Sequence, residues 1–245
     1  MGSGPIAKFR WGQVRLNNGE KTTFSIGPDP IEYKPGRYFE YHVLRPTLPI
    51  LTPVADPDGP AGEASGIGDL QVLDFYFHTI QKGLVWGVGP FYNFPTSTSP
   101  QTGSGEWQIG PAFSLQDSRR KHWVTGFLLE IPFSLESDAY SVKLEPTLTR
   151  LLPNRWYVGW GDLKLTLNNQ NGGYDIPLSL KAGKIITAGK QPINILVQPQ
   201  YTPAGFHSGS TTKYGVKLAM SFSLTNAYFG YKSEHRRSAS GISRW

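Results

Sequence analysis

Along much of the chain apolar and polar side chains alternate with a period of two. KYGVKLAMSFSL puts Tyr214, Val216, Leu218, Met220, Phe222 and Leu224 on one face and Lys213, Gly215, Lys217, Ala219, Ser221 and Ser223 on the other. AYSVKLEPTL sets Tyr140, Val142, Leu144 and Leu148 against Ser141, Lys143, Glu145 and Thr147, and NILVQPQY sets Ile195, Val197 and Tyr201 against Asn194, Gln198 and Gln200. Successive side chains of a strand point to opposite faces, so each stretch is a ribbon with one greasy side. In GLVWGVGPFYNFPT the contrast is sharper. Leu84, Trp86, Val88, Pro90, Tyr92 and Phe94 alternate with Val85, Gly87, Gly89, Phe91 and Asn93, a face largely stripped of bulk.

The same period predicts about twelve strands, near 8–16, 21–27, 37–46, 66–79, 83–95, 106–116, 121–134, 139–151, 155–168, 174–187, 191–202 and 211–224. No segment carries a convincing helical period. Many of these runs exceed the five or six residues usual in soluble sheets and match the roughly nine to eleven that cross a bilayer at a tilt. Around Leu73–Asp74 and Gly161–Asp162 the phase slips by one residue, which predicts a β-bulge at each.

The connections alternate as well. QKG, DSRRK, PNR and AGKQ are short, whereas PTLPILTPVADPDGPAGEAS, TSTSPQTGSG, NNQNGG and TPAGFHSGS are long; ESD is short on the long side. With antiparallel strands the short links gather at one rim and the long ones at the other, as in outer-membrane barrels. Membrane barrels also carry aromatic girdles at both interfaces. Phe77, Trp86, Trp123, Trp156 and Phe222 fall near the short-turn rim. Phe94, Trp107, Phe133, Tyr140, Tyr174, Tyr201 and Tyr214 fall near the long-loop rim.

These patterns predict an all-β fold: a closed antiparallel transmembrane β-barrel of about twelve strands spanning 6–224 as one domain. Residues 1–5 read as a remnant placed where a secretory signal was removed, and 225–245 as a C-terminal extension or tag. The competing arrangement is a soluble barrel with its apolar face inward, as in lipocalins. Twelve strands enclose more volume than aliphatic side chains fill, and the other face is poorly charged for a soluble surface.

Composition narrows the function classes. Charged residues make up 17% of the chain and aromatics 13%, with 28 glycines and 20 prolines, a mix suited to strands and turns. The absence of cysteine removes disulfides, thiolate metal sites and a cysteine nucleophile. No run of eighteen apolar residues forms a membrane helix, and the N-terminus lacks a secretory pattern. The net charge of +6 comes from dispersed cations, gathered only in the tail SEHRRSASGISRW, so nucleic acid is not an expected partner.

With the polar face inward, the lumen contains Glu40, His42, Asp69, Asp74, His78, Glu130, Lys143, Glu145, Asp162, Lys164, Asp175, Lys181, Lys213 and Lys217. Lys143 and Glu145 on one strand, with Asp162 and Lys164 on the next, are candidates for a cross-strand ion-pair network that also sets what can pass. The Pro- and Gly-rich link after the third strand is too long for a simple turn and reads either as an inward constriction or as an external cap. No catalytic residues, metal site or cofactor are expected. His207 beside Ser208 lies in a Gly-rich loop, where neighbours seldom present a nucleophile and its base to each other.

At GIGDL (66–70), WGVGPFYNFPT (86–96), GSGEWQIGP (103–111) and GKQPINI (189–195) the chain resembles a family of bacterial outer-membrane proteins described as transporters or as the phenol-degradation meta-pathway family. The order and spacing of these motifs agree over approximately residues 20–224. The resemblance implies a transmembrane β-barrel akin to channels for fatty acids and aromatic hydrocarbons, and supplies no catalytic residues. One departure stands out: such barrels usually finish on a strand ending in an aromatic residue, and here MSFSL is followed by further chain to Trp245. The expectation is an outer-membrane protein with periplasmic termini, embedded in the lipid bilayer, passing small solutes, hydrophobic or aromatic ones among them. Its oligomeric state is not specified. A structural or adhesion barrel with a sealed lumen is the alternative, followed by a lipid-modifying enzyme.

Overall fold

Side chains that alternate this regularly leave the backbone only one economical partner, the next strand. A computed structural model describes residues 7–16, 19–27, 39, 41–54, 64–100, 102–161, 164–169, 172–188, 191–208 and 214–224; of 7–27, 41, 51–54, 64–65, 191–192 and 221–224 it describes the backbone alone. Among these residues there are seventeen strand segments and no α-helix. They are β1 (Ala7–Leu16), β2 (Gly19–Gly27), β3 (Tyr41–Thr47), β4 (Ile50–Val54), β5 (Ala64–Ile67), β6 (Leu70–Gln81), β7 (Leu84–Phe94), β8 (Gln108–Asp117) and β9 (Trp123–Glu130). There follow β10 (Phe133–Ser134), β11 (Ser141–Leu151), β12 (Trp156–Trp160), β13 (Leu165–Asn168), β14 (Tyr174–Asp175), β15 (Leu178–Ala188), β16 (Gln191–Tyr201) and β17 (Tyr214–Leu224).

All belong to one sheet, and every described pairing is antiparallel. Short segments continue one another: β9 and β10 both pair β8, and β12 and β13 both pair β11. Joined in this way, the segments make about twelve crossings, close to the runs read from the sequence. Hairpin neighbours follow chain order from β6 to β9, on through β11, β12, β15 and β16, to β17. The first strand pairs the last, Ala7 opposite Leu224 through Val14 opposite Lys217, and on its other side pairs β2. Beyond β2, Gly19 stands opposite Val54 of β4, and β3 pairs β6.

Of the two expected bulges, one is present. Thr149 lies opposite Gly159 while Leu144 lies opposite Leu165, so β12–β13 holds one residue more than the β11 segment it faces. The other is absent. From Leu70 opposite Phe94 to Thr79 opposite Val85 the β6–β7 register is unbroken, and the only irregularity comes later, between Thr79 and Gln81.

Turn chemistry explains the short links. Gly83 takes φ 86° in the β6–β7 turn, and Asn154 and Arg155 take φ 56° and 61° between β11 and β12, left-handed conformations that glycine and asparagine adopt with least strain. The bare inward positions have a second cause. A methyl on Gly87 would come 2.4 Å from Cε1 of Phe77, its cross-strand partner, and one on Gly183 would come 2.3 Å from the Tyr157 ring opposite it. Each glycine is roofed by an aromatic ring from the next strand, the pairing that compensates glycine's missing side chain in a sheet. Phe77, expected in the aromatic belt, is therefore on the inner face.

The two faces differ in kind. On β17, Tyr214, Val216, Leu218 and Met220 are exposed while Gly215 and Ala219 between them are buried. On β16, Ile195 and Val197 are 45% and 40% exposed, and Gln198 is 1% exposed. Apolar side chains thus lie outside and amides inside, the reverse of a soluble core. The inner face is not uniformly polar: Leu73, Phe75, Phe91 and Ala112 form a buried cluster on β6 to β8, with Val43, Phe77 and Leu128 against it.

Candidate functional site

Glutamate 130 ends β9 on the inner face, opposite Ala112 of β8 and Lys143 of β11. It is 3% exposed, and a carboxylate that deep needs a cation. Lys164 supplies it from the bulged connection between β12 and β13, with Nζ 3.0 Å from Glu130 Oε2 and 3.9 Å from Glu145 Oε1. Lys143 Nζ lies 5.5 Å from the centre of the Phe91 ring. Four expected residues, Glu130, Lys143, Glu145 and Lys164, are thus brought together on adjacent strands, beside the apolar cluster.

One step toward the long loops, the same inner face opens into a cavity of about 550 Å³. Ser141 lies two residues before Lys143 on β11 and Pro132 two residues after Glu130, so the cavity sits over the charged cluster. Ser104, Asn168, Asn169 and Ser208 complete a wall of hydroxyls and amides, with Glu106 its one charged side chain and Tyr140 its aromatic. The loops around it are held by specific bonds. Asn169 donates from Nδ2 to the Asp138 carbonyl at 2.8 Å and accepts at Oδ1 from the Tyr140 N–H at 2.7 Å. The Tyr174 N–H donates to Ser208 Oγ at 2.8 Å. Ser208 is thereby engaged in holding a loop, and His207 forms a backbone bridge with Asp175.

Asp69, in phase with the inward Leu73 and Phe75, staples a loop on that side. Its carboxylate, 5% exposed, accepts from the Ser97 N–H at 3.1 Å, the Ser104 N–H at 2.7 Å, the Ser104 hydroxyl at 2.8 Å and the Gly105 N–H at 3.2 Å. Asn93 donates to the Glu106 carbonyl at 3.1 Å and to Ser104 Oγ at 3.3 Å. GIGDL, WGVGPFYNFPT and GSGEWQIGP therefore meet in one construction that fixes the β7–β8 loop over the β5–β6 junction. Burial raises the Asp69 pKa, but bonds from Ser104, Asn93 and Ser97 outweigh it and hold the group below its ordinary 3.8. A lowered folded pKa means that this contribution is complete above 3.8 and is lost as pH falls through the folded value. Asp69→Asn is expected to loosen the loop by about 1–3 kcal/mol, the cost of buried donors left unpaired. Limited proteolysis between 95 and 107 checks it: cleavage should rise in the variant at neutral pH and in the native chain only below pH 3.8.

Three other expected lumen residues lie on the opposite face. His42, Asp74 and His78 alternate with Val43, Leu73, Phe75 and Phe77 and share the outer face with Tyr76, Val88 and Trp86. The missing bulge is the reason: without it β6 keeps one phase, with both faces apolar. Asp74 is satisfied there by a hydrogen bond with His42 Nε2, and the His42 ring packs 4.7 Å from Tyr76. Lys181 and Lys217 are on the inner face, opposite Gly159 and Gln198, and Asp175 is at the long-loop rim opposite Thr166. Glu40, Asp162 and Lys213 lie outside the described residues.

The aromatic belts are largely where the alternation puts them. At the long-loop rim Phe94 packs on Trp107 at 5.1 Å, Phe133 on Tyr140 at 5.8 Å, and exposed Tyr201 stands opposite exposed Tyr214. Tyr174 departs from the pattern by donating its hydroxyl to the Gly205 carbonyl at 3.1 Å. At the short-turn rim Trp86 stacks on Phe113, Arg150 lies over Trp123 at 5.6 Å, and Lys184 over Trp156 at 4.9 Å. The side chain of Phe222 lies outside the described residues. Sequence reading missed the apolar inner cluster and the loop staple; Gly87, the small partner of Phe77, was the signal for the first.

No family model matches the chain, and no curated protein matches it. Among solved structures it is similar to an outer membrane channel from Pseudomonas putida F1, at 12% sequence identity and a TM-score of 0.67, over 91% of this chain and 95% of that one. At that identity the likeness is one of fold: an antiparallel all-β architecture shared with an outer membrane channel.

Proposed function

We propose that the sheet closes into a twelve-stranded transmembrane barrel and that the protein is a passive outer-membrane channel for small solutes. The observation that carries this reading is the inversion of the two faces. Leaving Val, Leu, Ile or Met side chains in water forfeits about 1.5–3 kcal/mol each, and hydrocarbon removes that cost. The P. putida channel's fold supports the same assignment. Solutes, small apolar or aromatic ones among them, would enter through the hydroxyl- and amide-lined cavity and pass the cluster of Glu130, Lys143, Glu145 and Lys164. The driving force is the gradient, with no catalysis and no cofactor. Membership of the phenol-degradation family is part of this proposal, supported by three motifs that converge on one loop staple.

A sealed barrel is the second reading, favoured by one observation: the Lys164 ion pairs span neighbouring strands across the inner face. Conductance in a planar bilayer separates the two. Steady ohmic steps are expected for the channel. Insertion without current would establish the sealed barrel, and failure to insert would return the chain to a soluble barrel.

A further inference from the structure

The described loops of the two rims differ in charge. Among the described residues, the loops of the long-loop rim contain Asp69, Glu106, Glu136, Asp138 and no lysine or arginine. The described short turns contain Lys82, Arg119, Arg120, Lys121 and Arg155 and no acidic residue. The nearest carboxylate, Asp117 at the end of β8, is taken by Arg119, whose Nε and guanidinium NH2 donate to it at 2.9 and 2.7 Å. Arg120 and Lys121 keep their charge exposed beside that pair.

Two more cations occupy the outer face at the same level. Arg150 is opposite Trp123 and Val158, and Lys184 is opposite Trp156 and Ile195, all exposed neighbours. Each cation lies over the ring of its tryptophan. This geometry sets an indole at the depth where hydrocarbon meets headgroup and carries the charge up along the ring toward the polar zone. A phosphate-bearing anionic surface complements these cations, as a neutral zwitterionic one does not.

We propose that the short-turn rim is a docking surface for anionic phospholipid headgroups of the adjoining leaflet, with Arg150 and Lys184 on their tryptophans as the innermost contacts and Arg120 and Lys121 as the outer ones. The inference rests on the bilayer reading above. In a membrane whose two leaflets differ in charge, such a rim also favours one orientation of the barrel.

The test uses the full chain in vesicles, with tryptophan emission quenched by brominated phosphatidylglycerol or by brominated phosphatidylcholine. Quenching several-fold stronger per lipid by the anionic species is expected, diminishing as salt rises. The combined Arg120→Gln, Lys121→Gln, Arg150→Gln and Lys184→Gln variant should still insert and lose the preference. Equal quenching by both lipids in the native chain would overturn the proposal, as would a preference that survives in that variant. Should the native chain insert into neither vesicle, the bilayer reading itself fails.

Discussion

Lys164→Ala is expected to cost about 3 kcal/mol, toward the low end of the 3–5 kcal/mol seen when one partner of a buried ion pair is removed. The lysine is partly exposed, but Glu130 beneath it is not, and truncation leaves that carboxylate with its neighbour Glu145 and little water. Lys143 stands opposite Glu130 and offsets some of the loss, which places the expected cost low in the range. The sign of the cause can be read from a second variant. Adding Glu130→Gln to Lys164→Ala removes the orphaned charge and should recover most of the stability. Urea unfolding of both in lipid vesicles checks this; a loss below about 1 kcal/mol for Lys164→Ala alone would mean the pair behaves as an exposed one.

Leu129→Arg, one residue from Glu130, tests the other side of the sheet. Leu129 is opposite Phe113 and Leu144 on the outer face, between strand ends. An arginine facing lipid near mid-strand should cost about 2–4 kcal/mol in a bilayer. In the same assay the two neighbouring positions therefore report opposite media. A silent Leu129→Arg together with a ruinous Glu130→Leu would show that the apolar face is the interior.

The sequence made the outer face legible wherever the other side of a strand is small or polar, as in β17, where Gly215, Lys217 and Ala219 face inward, because a period of two then has only one solution. It also placed the bulge near Gly161 and the ionic residues around it, since Lys143, Glu145 and Lys164 stay in phase with small polar neighbours. It misled in β6. There LQVLDFYFHTI is apolar on both faces, and a phase slip at Leu73–Asp74 would turn Asp74 and His78 inward, away from lipid, where a charge is expensive. The structure meets that expense with a cross-strand partner, His42, which no single-strand pattern can reveal. Alternation gave Asp69 its side of the sheet but not its role: its partners, Ser97, Ser104 and Gly105, come from a loop whose path is set by tertiary contacts.

The pairing of β1 with β17 has a kinetic side. Most other ladders join strands close in sequence, which a chain can form as local hairpins with little loss of loop entropy. The Ala7-to-Leu224 ladder joins nearly the two ends of the described chain, and its closure entropy is small only after the intervening hairpins are already assembled. On the barrel reading that seam is the last ladder to zip, and a lesion at either of its strands would stall assembly at an open sheet with two unsatisfied edges.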